Sequence, residues 1–312
     1  MKQPMKTVNL LHNPKAGDKE HSEDDLIKLI EATGFKCIYS STKEKGWKDI
    51  APEVDFLAVA GGDGTVRKVS VAMLSGEAGD KKNYPIALLP KGTANNIGKS
   101  LEISGTEKEI IKSWRDEHVR KFDVGKISGF AETMYFLEGF GFGVFPKLMN
   151  DMRDGADKKD VSPEERIDNA LHVLHDIIDN YKAKPCQLVI DGVDHSGNFL
   201  LIEVMNTPSL GPNLDLNPSA NTNDGEFEVI LIAENQREKF ATYIWDKMKD
   251  GNTPFTFSTL KAKEITLTWE GVHAHVDDEV IKDVKGIVFE IRVKEGAIEF
   301  YVPGIQDGID KN

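Results

Sequence analysis

The sequence predicts an α/β domain with a parallel sheet, followed by a domain built on an antiparallel, sandwich-like β-sheet. Three observations predict it. Up to about residue 125, short apolar runs alternate with helical patterns, the order that parallel βαβ units require. Beyond it, eight strand-like runs are separated by turn pairs such as DG and SG and interrupted by two helices. The charge divides at the same place: 21 Lys and Arg stand against 19 Asp and Glu up to residue 126, and 18 against 33 afterwards. A chain of 312 residues is long enough for two such cores, so we place domains at 1–125 and 126–312, with the last residues able to pack back on the first domain.

In the first part, residues 7–11 read as a strand and residues 22–32 as a helix with Ser22 as N-cap. Strands follow at 35–39, 56–60 and 86–89, with helices at 66–74 and 94–101. In the second part, strands are expected at 134–140, 187–191, 199–205, 227–232, 264–269, 272–276, 287–293 and 297–302. The two helices are 163–181 and 236–248, and residues 149–159 read as a loop. The stripe Ile167, Ala170, Leu171, Leu174, Ile177, Ile178 and Tyr181 marks the face of the first helix that packs on the core, or that walls a pocket for an acyl chain.

Composition narrows the function. A net charge of −13 argues against nonspecific nucleic-acid binding, which needs a basic footprint. Two cysteines, Cys37 and Cys186, cannot build a disulfide scaffold, so a reducing, cytoplasmic setting is expected. No run of about 18 apolar residues is available to span a bilayer.

Two glycine-rich turns carry the chemistry. Gly61, Gly62, Asp63, Gly64 and Thr65 follow an apolar strand and open a helix. Glycines there let a ligand approach the backbone, and N–H groups at a helix start attract anions. A carboxylate beside phosphates is repelled unless a cation lies between them, so Asp63 in this turn points to a metal–nucleotide site. A tight turn without ligand has the same spacing. The second turn, Pro90–Asn96, offers Thr93, Asn95 and Asn96 as hydrogen-bonding side chains, or as plain helix caps. If residues 272–280 run extended, His273, His275, Asp277 and Glu279 share one face and Asp278 points to the other. Gly139–Gly143 reads GFGFG and lacks dinucleotide-binding spacing, which suggests a bulged or closely packed strand end.

With these motifs in hand, the chain resembles bacterial lipid kinases related to diacylglycerol kinase and sphingosine kinase catalytic domains. The matching pieces are Asn13–Gly17, Gly61–Thr65, Leu88–Asn96, Phe122–Gly125, Asn223–Phe227 and Val276–Glu279. The resemblance implies an ATP-binding α/β domain, a β-rich lipid-substrate domain and an active site in the cleft between them. It implies transfer of the ATP γ-phosphoryl group to a hydroxyl of a diacylglycerol-like or sphingoid lipid, with Mg2+ as cofactor. By the same resemblance, Gly61, Gly62, Asp63, Gly64 and Thr65 wrap the phosphates, while Asn13, Thr42, Thr93, Asn95 and Asn96 line the nucleotide. Asp63 and Asp123 join an acid network around magnesium. Asp224 supplies a carboxylate, and Asn221 and Glu226 their carbonyls, to a structural magnesium loop. Glu279 takes the acceptor's proton, so Glu279 and Asp63 are the catalytic candidates. Partners implied are a lipid substrate, peripheral contact with the inner face of a membrane, and a homodimer.

The chain departs from the family pattern at three places. Arg67 and Lys68 stand where an Asn-Glu pair is usual, Asn96 replaces an acid, and Asp278 replaces a glycine. Two further readings therefore stay open: a nucleotide- or lipid-binding protein with impaired catalysis, and a small-molecule kinase of the nicotinamide dinucleotide kinase type, which shares GGDGT.

Overall fold

The computed structural model describes residues 5–16, 22–79, 83–92, 94–154, 162–210, 214–218, 220–250 and 253–304. They divide into two units, one formed by the chain up to Phe122 together with the segment from Gly296, the other by Asp123–Glu295.

In the first unit, β1 (Thr7–His12), β2 (Lys36–Ser41), β3 (Phe56–Gly61) and β4 (Ile86–Pro90) pair in parallel in the order β2-β1-β3-β4. Every residue of β1 and β3 is buried, which is what a parallel sheet covered on both faces demands of its central strands. The unbroken apolar run FLAVAG of β3 meets that demand. Helix α1 (Glu23–Ala32) starts where the Ser22 hydroxyl accepts the Asp25 N–H, and Glu23, Asp24 and Asp25 complement its positive end. Its Leu26 and Ile30 are fully buried. Helix α2 (Asp63–Leu74) follows β3 directly, and α3 (Asn96–Ser100) follows β4. Helix α4 (Glu107–Ser113), which the sequence reading left out, is started by a capping box between Thr106 and Glu109.

The second unit is antiparallel. Its strands are β5 (Val119–Ser128, from Asp123 onward), β6 (Met134–Phe136), β7 (Gly139–Gly143), β8 (Lys184–Ile190), β9 (Val193–Asp194), β10 (Gly197–Met205), β11 (Ser209–Leu210), β12 (Leu214–Asp215), β13 (Phe227–Ala233), β14 (Thr259–Ala262), β15 (Glu264–Trp269), β16 (His273–Val276), β17 (Glu279–Lys282) and β18 (Val288–Tyr301). The path β17-β16-β7-β10-β8-β15-β18 is joined by β13 on β10 and β14 on β13. Alternation along β10 sorts two cores. Ile202 and Val204 enter one with Phe140, Phe142, Val276 and Phe289. Leu201 and Met205 enter the other, under α5 (Val144–Asp154), α6 (Pro163–Asn180) and α7 (Arg237–Asp250), with Leu148, Leu174, Ile178 and Phe240. Each fully buried side chain of this size contributes about 1.5–3 kcal/mol. The last residues of β18 count with the first unit, where Phe300 pairs in parallel with Ile86.

Four local expectations are corrected. Residues 144–154 form α5, so the loop expected from Met149 is helical as far as Asp154, and the rest of it lies outside the described residues. GFGFG is a full strand, β7, not a strand end. The strands expected at 287–293 and 297–302 are one strand, because Gly296 at φ 53° carries the chain on without breaking it. Residues 272–280 do not run extended: β16 and β17 form a hairpin with Val276 opposite Glu279 and His275 opposite Val280. Opposed residues share a face, so Glu279 lies with Val276 and not with His273 and His275.

Candidate active site

In the first unit the two glycine turns touch. A Cβ on Gly62 would stand 3.0 Å from the Gly92 Cα, and one on Gly92 would stand 2.6 Å from the Gly62 Cα, so neither position admits a side chain. A Cβ on Gly61 would collide with Thr65 at 2.5 Å. The Lys91 N–H donates to the Gly61 carbonyl at 2.9 Å. Asn95 adopts φ 51°, a left-handed conformation that Asn tolerates, and its side-chain amide bonds both the N–H and the carbonyl of Gly92. Asn13 reaches the same place from the end of β1 and donates through Nδ2 to Thr65 Oγ1 at 3.1 Å. Thr42, at the end of β2, is buried and donates its N–H and Oγ1 to the His12 carbonyl. Thr93 lies outside the described residues.

Asp63 explains an acid in this turn. Its Oδ2 accepts the Asn96 N–H at 3.0 Å and its Oδ1 the Ile97 N–H at 3.1 Å, so the carboxylate caps α3 and ties the two turns together. Burial pushes the carboxyl pKa up, and these bonds pull it back. The N-cap of α2 is Gly62, which has no side chain to offer, and the first-turn acid Asp63 bonds the N–H groups that open α3. The departure at Lys68 is equally specific. Its ammonium donates to the Thr42 carbonyl and lies 5.0 Å from the centre of the Trp47 ring. Burial and the neighbouring Lys43 and Lys48 hold its pKa down. Position 68, where the family pattern has an acid, thus places positive charge beside Thr42.

The second unit gathers the acidic motifs. Asp123 is buried; its N–H donates to the Thr222 carbonyl at 2.7 Å, and its Oδ2 accepts the Gly225 N–H at 2.8 Å. Asp277 is buried as well, and its carboxylate accepts the N–H groups of Leu137, Glu138 and Gly139 at 2.8–3.2 Å. Asn206, which the sequence reading missed, joins these two acids. Its Nδ2 donates to the carbonyls of Asp123 and Leu137, both at 2.9 Å. A polar residue ending the apolar run FLLIEVM was the available signal. Glu279 opens β17 as an exposed residue one step beyond the Asp277–Asp278 turn. The turn's positive φ of 51° falls on Asp277 and not on Asp278, so the departure from glycine at 278 needs no left-handed backbone.

The loop expected to hold structural magnesium is arranged around an ammonium. Asp224 Oδ1 accepts the Glu226 N–H at 3.2 Å, while Lys261 Nζ stands 2.5 Å from Asp224 Oδ2 and 3.3 Å from Glu226 Oε2. Asn221 Oδ1 takes the Asn223 N–H. This donor set, with its acid already paired to lysine, does not fit a divalent ion as it stands. Among the described residues no group of three or more His, Cys, Asp or Glu side chains is placed to hold a metal. The stripe on α6 packs on the core through Leu171, Leu174 and Ile178, while Ile177 and Tyr181, with Val173, also line a cavity of about 380 Å³ edged by Lys147, Lys182 and Lys184.

The chain matches the model of the diacylglycerol kinase catalytic domain over residues 7–127 and that of the YegS C-terminal NAD kinase beta sandwich-like domain over residues 158–301. It belongs to the lipid kinase family related to diacylglycerol kinase. Similar relatives in this family include proteins named "Putative lipid kinase" from Staphylococcus aureus: one from strain MSSA476 is 28% identical over 268 residues, 81% of this chain and 79% of its own. Another, from strain MRSA252, is 31% identical over 193 residues, 60% of this chain and 57% of its own. A crystal structure titled as a putative diacylglycerol kinase from Bacillus anthracis str. Sterne has the same fold, with a TM-score of 0.72, 23% identity and coverage of 96% of this chain and 98% of that one. Among the described residues of this lipid-kinase-family chain, no helix is long and apolar enough to cross a membrane.

Proposed function

We propose that the protein transfers the γ-phosphoryl group of MgATP to the hydroxyl of a diacylglycerol-like or sphingoid lipid. The observation that carries this reading is the start of α2: a glycine-capped helix end where two glycine turns touch, flanked by Asn13, Thr65 and Asn95, with the Asp63 carboxylate held by the N–H groups of Asn96 and Ile97. Such an end binds phosphate through backbone N–H groups and the helix dipole. Magnesium enters with the nucleotide as part of the substrate. Lys68, at the Thr42 carbonyl, adds fixed positive charge beside it. Glu279 receives the proton of the attacking hydroxyl. The lipid oxygen forms its bond to the γ-phosphorus, the bond to the β–γ bridging oxygen breaks, and ADP leaves. Phosphoryl transfer asks mainly for held reactants and compensated charge, which this residue set supplies.

The test is direct. Purified protein with MgATP and a panel of diacylglycerols and long-chain amino alcohols in mixed micelles is expected to yield phosphorylated lipid. A panel that stays unlabelled while calorimetry registers MgATP binding would replace this reading with a second one, a nucleotide-binding protein of impaired turnover. Lys68 and Asn96, which stand where the family pattern has acids, favour that second reading.

A further inference from the structure

The second unit holds a buried glutamate–histidine pair to which the kinase reading gives no role. Glu203 on β10 is 0% exposed and His275 on β16 is 1% exposed. Their Oε2 and Nε2 stand 2.9 Å apart. Strand β7 runs between them, with Gly141 in register with both Glu203 and His275. The two side chains meet over that glycine. A Cβ on residue 141 would lie 1.9 Å from Glu203 Oε2 and 2.7 Å from His275 Nε2, and one on Gly139 would lie 2.8 Å from Glu203 Oε1. This accounts for GFGFG: two glycines clear one face for the pair, while Phe140 and Phe142 fill the core on the other.

The other ring nitrogen of His275 completes the argument. Nδ1 is 2.9 Å from the carbonyl oxygen of Asp277. A carbonyl only accepts, so Nδ1 carries a proton, and Nε2 and Glu203 share one further proton between them. Burial works against a charged imidazole, yet the Glu203 carboxylate and its hydrogen bond lift His275 above its ordinary range. Asp277 is the other charged group facing the ring, and its carboxylate is engaged by the N–H groups of residues 137–139. The tautomer fixed by Glu203 therefore fixes the Asp277 carbonyl, which belongs to the two-residue turn that leads into Glu279.

We propose that Glu203 and His275 are positioning residues that lock the Asp277–Asp278 turn and so aim the carboxylate of Glu279. The proposal rests on the kinase reading for the role of Glu279, and on geometry alone for the locking of the turn. The experiment therefore has a kinetic arm and a structural arm. Glu203→Gln can donate its amide N–H to a bare Nε2 and keep Nδ1–H on Asp277. Glu203→Leu cannot. The expected kinetic result is that Glu203→Leu lowers kcat about 100-fold, the size of a misaimed catalytic group, with KM for ATP unchanged, while Glu203→Gln recovers most of the loss. The structural arm uses 15N-histidine and backbone NMR on nucleotide-free protein. Wild type and Glu203→Gln are expected to keep an exchange-protected Nδ1–H on His275 and protected amides at 277–279, with Nε2 unprotonated only in the Gln variant. In Glu203→Leu those protections are expected to vanish.

A folded Glu203→Leu protein with wild-type kcat and a protected turn overturns the proposal. So does a rise in KM in place of the fall in kcat. If the Leu variant fails to fold, the Gln variant still decides: a bare Nδ1, or an unprotected one, overturns it. A wild type that phosphorylates no lipid sinks the kinase reading and leaves the structural arm standing.

Discussion

Replacing Asp63 by Asn tests how the two glycine turns are held together. The aspartate accepts two backbone N–H groups, at 3.0 and 3.1 Å, with one oxygen each. An amide of the same shape accepts only one and turns its NH2 against the other. Hydrogen bonds to charged groups contribute roughly 1.5–3 kcal/mol apiece, so losing one and weakening the other removes about 3 kcal/mol. Burial penalises the carboxylate, as its raised pKa records, and the neutral amide escapes that penalty. A net loss of about 2 kcal/mol remains, and for a unit of this size it lowers Tm by about 4–8 °C. The same change loosens the tie between the two turns, whose backbones touch at Gly62 and Gly92, and is expected to weaken MgATP binding. Differential scanning calorimetry and nucleotide titration measure both. If Asp63→Asn melts within a degree of wild type and binds MgATP as tightly, Asp63 does not hold these turns.

Three more outcomes are expected. Glu279→Gln lowers kcat by roughly 100- to 10,000-fold, the usual contribution of a general base, and leaves Tm unchanged because the residue is exposed; lipid-kinase assays and thermal melts check it. Glu228 is buried, and burial with Asp224 alongside pushes its carboxyl up to about 7. The folded state thus holds a proton that the unfolded state has released, and stability falls as pH rises from about 4.5 through 7, by on the order of 3 kcal/mol in all. Melts between pH 5 and 8 should show this fall in wild type and a distinctly smaller one in Glu228→Gln. Finally, Lys261→Met leaves Asp224 and Glu226 without their ammonium and costs about 0.5–1 kcal/mol, as exposed ion pairs do. Millimolar Mg2+ is expected to raise the Tm of this variant more than that of wild type; equal responses would refute the view that lysine takes the cation's place there.

Much of the first unit was legible because its strands are unbroken apolar runs and its turns are written in glycine. Ser22 announced α1, and GGDGT announced the β3–α2 turn. What Asp63 does was not legible, since its partners, Asn96 and Ile97, are more than thirty residues away and are backbone groups. The acidic turn at 277–278 hid the hairpin: two aspartates carry no glycine signal, yet Asp277 takes a positive φ there. Helix α5 was hidden by its amphipathic, charge-rich text directly after GFGFG. Those glycines themselves were read as a packing device, correctly in kind. The charged pair they accommodate comes from residues 203 and 275, a separation that no local pattern reveals.

Asn206 sets a boundary on redesign. One amide group fastens the segment containing Asp123 to the segment beneath Asp277. The acidic loop and the hairpin that carries Glu279 are therefore not portable modules. A graft that moved either into another scaffold would have to bring this asparagine along, together with the strand that ends just before it.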